Sequence, residues 1–279
     1  EKALKLSQRG RPGPCWLDIP LNIQGAYVDT DDLYPYDGEG DEVLPEVPSD
    51  DVILSIIDMI KNAERPVFNA GNGIRIAGAF DEFRSVIEKL NIPVVTGWDS
   101  IDLIEDEHPL YVGRAGIMGD RPGNFAVQNS DVFFSVGSRL SIRQVGYNYK
   151  SWARCARKIV VDVDPEELKK PTVNPDMPIC ADAKAFLKRM NELLSDEKLF
   201  TKESWNETCR GWKKDYPVVQ PKHYEQTEPV NVYAFIRELS SRLNDGQITV
   251  VGNGSACVVG SHGYVIKKDQ RFIINSAVA

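Results

Sequence analysis

Apolar and polar positions along the chain fall into two alternating rhythms. Ile53, Ile56, Ile57 and Ile60 follow the i, i+3, i+4, i+7 spacing, which puts them on one stripe of a helix that Ser49 and Asp50 can cap. Short apolar runs and helical stripes then alternate. A strand is predicted over Pro66 to Ala70, a helix carrying Phe80, Phe83, Ile87 and Leu90, and a strand over Ile92 to Thr96. A helix near Asn124 to Asn129 follows, then strands over Val132 to Val136 and Lys158 to Val163. A helix bearing Phe186, Leu187, Met190 and Leu193 closes the series. Strands separated by helices require crossover connections, so residues 52–195 predict an α/β domain with a doubly wound, mostly parallel sheet covered on both faces.

The flanks read differently. Residues 12–24, PGPCWLDIPLNIQ, predict a turn and a buried strand, so 1–24 reads as the end of a preceding domain. Residues 25–51 are acidic and rich in Pro and Gly, and they read as a linker. The polar stretch 196–229, with Trp205, Trp212 and Pro217 to Pro229, reads as a second linker. A third unit, 230–279, opens with a helix bearing Val232, Phe235, Ile236 and Leu239 and a strand over Gln247 to Val251. The chain opens at Glu1 directly in a helix-like run and stops just after the strand-like Arg271-Phe-Ile-Ile, so neither end is expected to be a natural domain boundary.

Composition narrows the class. A net charge of -8 over 279 residues argues against a nucleic-acid surface, which needs clustered Lys and Arg. Cys15, Cys155, Cys180, Cys209 and Cys257 are widely spaced without a Cys-x-x-Cys pair, and there are three histidines, so reduced, buried thiols in a cytoplasmic protein are expected rather than a metal site. No apolar run approaches the roughly 20 residues that span a bilayer.

Candidate chemistry sits where predicted strands end. Gly71 and Gly73 in Ala70-Gly71-Asn72-Gly73-Ile74 let backbone approach a phosphate at a helix N-terminus, although a tight turn explains them equally well. Three further loops end strands: Thr96-Gly97-Trp98, Gly137-Ser138-Arg139-Leu140 and Asp162-Val163-Asp164-Pro165. In an open α/β sheet ligands bind at that edge, where Arg139 can meet a diphosphate and Asp162 a ribose hydroxyl. A helix cap followed by proline is the plain reading of the last loop. Arg143 would by default be a solvated cation, and Val251-Gly252-Asn253-Gly254-Ser255 is either a phosphate cradle or a turn. His108, His223 and His262 lie in no triad or metal pattern and read as structural.

In this order, several segments resemble the acetolactate synthase (acetohydroxyacid synthase) large-subunit group of thiamine-diphosphate enzymes. GRPGPCWLDIP is similar to the close of the family's pyrimidine-binding domain. RPVFNAGNGIRIAGA, NFAVQNSDVFFSVGSRLSIR and KIVVDVDPEELKKP resemble its central domain, and NGSACVVGSHGYVIK with QRFIINS the opening of its diphosphate-binding domain. By position, the resemblance implies FAD contacts at Gly71, Gly73, Thr96, Gly97, Gly137, Arg139, Asp162, Val163, Glu167 and Asp182. It implies a 2-keto acid contact at Arg143, and thiamine diphosphate contacts at Gly254 and Ser255. The family's activating glutamate would lie upstream of residue 1, and its magnesium-binding motif beyond residue 279.

The resemblance implies a decarboxylating carboligase acting on a 2-keto acid such as pyruvate. It would work with thiamine diphosphate and magnesium as a homodimer or homotetramer in branched-chain amino acid biosynthesis, with no catalytic residue in these 279 and no activity from them alone. Two departures leave the central ligand open between FAD, another adenine nucleotide or none. Ser141 and Ile142 replace the family's acidic pair, and Gly116-Ile117-Met118-Gly119 lacks its Met-His pair. The alternative is a nucleotide-binding structural or regulatory module, with FAD or ADP and no chemistry. An NAD-dependent dehydrogenase is disfavoured by the glycine spacing.

Overall fold

A computed structural model describes residues 1–9, 12–38, 44–226 and 228–275. Parts of the two expected linkers, 39–43 and 227, and the last residues of the third unit, 276–279, lie outside them.

The central sheet has six parallel strands: β1 (Pro66–Ala70), β2 (Val94–Thr96), β3 (Tyr111–Arg114), β4 (Val132–Val136), β5 (Arg157–Asp162) and β6 (Met177–Cys180). Their order across the sheet is β3-β2-β1-β4-β5-β6. Every residue of β1 and β4 is buried, as a parallel strand with both faces covered must be. Helices Asp50–Asn62, Phe80–Leu90 and Ala183–Leu193 pack together as one group, and Arg121–Asn129 packs with Glu203–Asp215 and β3 as another. The isoleucine stripe of the first helix is buried throughout, and Phe68 packs edge-on against Phe134 while Phe83 and Phe186 meet this pair at tilted angles through the core.

Strands β3 and β6 carry weak sequence signals. In β3, Tyr-Val-Gly-Arg mixes a glycine and a charge, yet all four residues are buried. In β6, Pro178 is tolerated because the strand lies at the sheet edge, where one side needs no amide donor.

Three expectations are corrected. Residues 12–24 form no buried strand: Trp16, Leu17, Ile19, Leu21 and Ile23 are exposed and Leu21–Gln24 is a short helical turn. Pro12, Pro14 and Pro20 remove the amides a ladder would need. The stretch read as a second linker carries helix Glu203–Asp215, which buries Trp205, Asn206 and Cys209; Trp205 donates to Pro66 O at 3.0 Å. Its tryptophans, not its polar majority, were the informative residues. Cys209 and Cys257 are buried, whereas Cys15 and Cys155 are exposed.

Beyond this domain, β7 (Ile248–Val251) and β8 (Arg271–Ile274) pair in parallel, with helix Ser255–Gly263 between them and helix Val232–Arg242 before them. Tyr264, Ile266 and Phe272 form a small core with Ile101 of the central domain. Buried polar ties cross the same seam. Arg114 Nη2 donates to Tyr264 O at 2.7 Å, and Asp102 Oδ2 accepts from Arg271 Nε at 2.8 Å and from the Phe272 amide at 3.0 Å.

Candidate functional site at the switch point of the sheet

The strand order reverses direction between β1 and β4, and in open α/β sheets this switch point opens a crevice at the carboxyl edge. The loops after β1 and β4 meet there at backbone distance. A Cβ on Gly71 would lie 2.1 Å from Ser138 Cα, and one on Gly73 2.7 Å from Gly137 O. The Gly71 and Gly73 amides donate to Val136 O at 3.0 Å and Gly137 O at 2.8 Å. These glycines therefore bring two loops together, and their amides serve the β4 loop.

Beside this junction lies a cleft of about 210 Å3 over the ends of β1, β4, β5 and β6, with Asp99 at one end and Ala181 to Ala183 at the other. It brings together Gly73, Gly137, Arg139, Asp162, Val163 and Asp182. Arg139 and Asp162 stand on one rim, with the Arg139 amide donating to Asp162 Oδ2 at 3.2 Å. Asp162 Oδ1 also receives the Asp164 amide at 3.1 Å, so the carboxylate shapes both loops. Arg139 and Leu140 hold left-handed backbone, at φ 59° and 46°. Successive non-glycine residues in that region carry strain that surrounding contacts must offset, a mark of functional loops.

Glu167 lies beside this rim, where it accepts Arg139 Nε at 2.5 Å and Lys170 Nζ at 2.7 Å. Burial pushes its carboxyl up, but Lys170 and Arg139 outweigh that and hold it below the usual glutamate range. A depressed carboxyl stabilises the fold above the unfolded pKa, and that contribution disappears as pH falls through the folded value. Glu167→Gln is therefore expected to flatten the acid limb of the stability profile, measured as urea midpoints between about pH 3 and pH 6; an unchanged acid limb would contradict the linkage.

Asp182 caps helix Ala183–Leu193 by accepting the Ala185 amide at 2.9 Å. Asp182→Ala should cost about 1 kcal/mol in denaturant unfolding even without any nucleotide. A loss seen only with nucleotide present would show a ligand role instead.

The remaining expected residues lie elsewhere. Thr96 is buried within the sheet, its hydroxyl 3.3 Å from Tyr111 Oη. Gly97 and Arg143 line a separate small compartment over β2 and β3 with Trp98, Met118, Ser141 and Gln144; Asp99 and Ser138 line both spaces. The Arg143 guanidinium stacks on the Trp98 ring, 4.6 Å from its centroid. Gly254, at φ 79°, and Ser255 begin the helix of the third unit and are exposed. The cleft does not include them.

A buried polar chain links the two spaces and escaped sequence reading. Gln144 Nε2 donates to Asn69 Oδ1 at 2.5 Å, Asn69 Nδ2 to Ser135 Oγ at 3.0 Å, and Ser135 Oγ lies 2.9 Å from Ser138 Oγ. Its signal was present: Asn69 and Ser135 each interrupt an apolar strand, and they are register partners.

Among the described residues no group of three His, Cys, Asp or Glu side chains could hold a metal ion, and no helix is long and apolar enough to cross a membrane.

Comparison with known proteins agrees with this architecture. The family described as thiamine pyrophosphate enzyme, central domain, matches residues 53–190. A probable acetolactate synthase large subunit of Methanococcus aeolicus is 33% identical over 87% of this chain and 42% of its own length. Acetolactate synthase 1, chloroplastic, of Zea mays is 29% identical over 94% of this chain and 40% of its own. Acetolactate synthase isozyme 1 large subunit of Escherichia coli is 25% identical over 99% and 47%. The chain thus spans less than half the length of these relatives. Residues 53–190 thus match the thiamine pyrophosphate enzyme central-domain family, and over most of its length the chain is similar to acetolactate synthase large subunits.

Proposed function

We propose that this chain is part of a carboligase dependent on thiamine diphosphate and magnesium, which decarboxylates a 2-keto acid such as pyruvate and joins the remainder to a second carbonyl compound. The observation that carries this reading is the extent of the similarity to acetolactate synthases, which runs well beyond the central domain on both sides. In this reading the protein works as a homodimer or homotetramer in the cytoplasm, in branched-chain amino acid biosynthesis.

Thiamine diphosphate, when bound, supplies the electron sink for decarboxylation. The residues of this chain would bind and orient. Gly254 leads the nine-residue helix Ser255–Gly263, whose first amides have no partner within the helix, and a Cβ on Gly252 or Gly254 would meet nothing within 4 Å. That open N-terminus fits a diphosphate, which Gly254 and Ser255 would hold. Arg143 would hold the carboxylate of the second 2-keto acid, a role that suits a fixed guanidinium. The cleft formed by Gly73, Gly137, Arg139, Asp162, Val163 and Asp182 would hold an adenine nucleotide, FAD in the family reading, with Gly71 and Glu167 supporting its loops and Thr96 and Gly97 toward β2.

The test is turnover. The full-length protein with thiamine diphosphate and magnesium should release carbon dioxide from pyruvate and form a carbon-carbon bond, while the 279-residue chain alone should not. Arg143→Ala in the full-length protein should raise KM for the acceptor more than for the donor. A full-length protein that turns over no 2-keto acid sinks the proposal.

A further inference from the structure

From the switch point the trough at the carboxyl edge can run two ways, over β4 to β6 or over β2 and β3. The two directions are unequal. Toward β6 the cleft offers about 210 Å3, whereas the compartment toward β3 offers about 20 Å3, room for a single water.

Three loops close that second direction. Trp98, after β2, lies under the Arg143 guanidinium, a stacked cation–ring contact. The loop after β3 is tied to the same spot, because the Ile117 amide donates to Arg143 O at 2.8 Å and Gly116 passes so near that a Cβ would lie 2.7 Å from that oxygen. Gln144, buried, is fixed from behind by Asn69. Asp99 and Ser138 stand between the two spaces, Ser138 held by Ser135. A tricyclic flavin is many times larger than a water, and it would need this half of the trough once the adenosine diphosphate half of FAD occupied the other.

We propose that the Trp98–Arg143 stack closes the β2–β3 half of the trough, so that the central cleft takes an adenine nucleoside diphosphate and excludes a flavin dinucleotide, with Trp98 setting the size of the ligand. This rests on the adenine-nucleotide reading of the cleft. FAD therefore does not fit the residues present.

Calorimetric titration of the 279-residue chain with ADP and with FAD tests this, alongside the visible spectrum of the purified protein. ADP should bind, FAD should bind at least about 10-fold more weakly, and the protein should be colourless. Trp98→Ala should narrow that gap by improving FAD while leaving ADP within about twofold. Arg143→Ala, at an exposed position, should do the same in smaller measure and gives the readout if Trp98→Ala fails to fold. Tighter binding of FAD than of ADP by the unaltered chain, or flavin carried through purification, overturns the proposal. So does an unchanged ratio in whichever variant folds. If neither nucleotide binds, the reading of the cleft itself fails and this inference with it.

Discussion

Gly71→Ala is expected to destabilise the chain by about 3 kcal/mol or more, beyond ordinary overpacking, and to abolish the nucleotide binding proposed for the cleft. The added methyl would lie 2.1 Å from Ser138 Cα and 2.3 Å from Gly137 O. Both are backbone atoms, so no side-chain rotation relieves the clash, and the loops after β1 and β4 must part. Parting them stretches the bonds from Gly71 and Gly73 to Val136 O and Gly137 O, on which the switch-point crevice is built. Gly211→Ala is the matched control. Gly211 lies inside helix Glu203–Asp215 with nothing within 4 Å of the new methyl, so alanine there should stabilise by about 0.5–1 kcal/mol. Urea midpoints of both variants give the comparison. A Gly71→Ala protein as stable as the parent would mean that the two loops are not in backbone contact.

Asp102→Ala is expected to cost about 3 kcal/mol and to loosen the third unit from the sheet domain. The carboxylate is almost wholly buried and serves the Phe272 amide and Arg271 Nε, with Arg75 Nε 3.7 Å away. Removing it orphans a buried amide and leaves two guanidinium groups without their counterion, and losing one partner of a buried pair usually costs about 3–5 kcal/mol. Arg271 is partly exposed, so water recovers some of that loss. Asp102→Asn keeps an acceptor for Phe272 and should cost less. Hydrogen exchange across residues 248–274 reads the effect: faster exchange of β7 and β8 with little change in β1 and β4 is expected. Uniform or absent change would show that the carboxylate does not tie the two units.

The sheet was legible because its central strands are apolar on both faces and its helices carry clear stripes, Ile53 to Ile60 being the plainest. The edges were not, since β3 and β6 hold a glycine, an arginine and a proline that only a sheet margin or a covering helix accommodates. The rim of the site could be read because strand ends in such sheets converge whatever their side chains, which brought Gly73, Arg139 and Asp162 together, whereas Asp182, after the edge strand β6, was implied by the resemblance alone. The partners of those residues could not be read. That Glu167 holds Arg139, that Asp162 binds the Arg139 amide and that Arg143 lies on Trp98 depend on distances across 23 to 45 positions, which no local pattern encodes.

The pairing of Asn69 with Ser135 has a consequence for how the chain finds its alignment. Sliding β1 by one residue along β4 would set the Asn69 amide against Phe134 or Val136, a buried donor facing hydrocarbon at a cost of about 1–3 kcal/mol. Slippage is penalised at the one junction where the two halves of the sheet meet, so the ends of β1 and β4, Ala70 and Val136, are held level beneath the crevice.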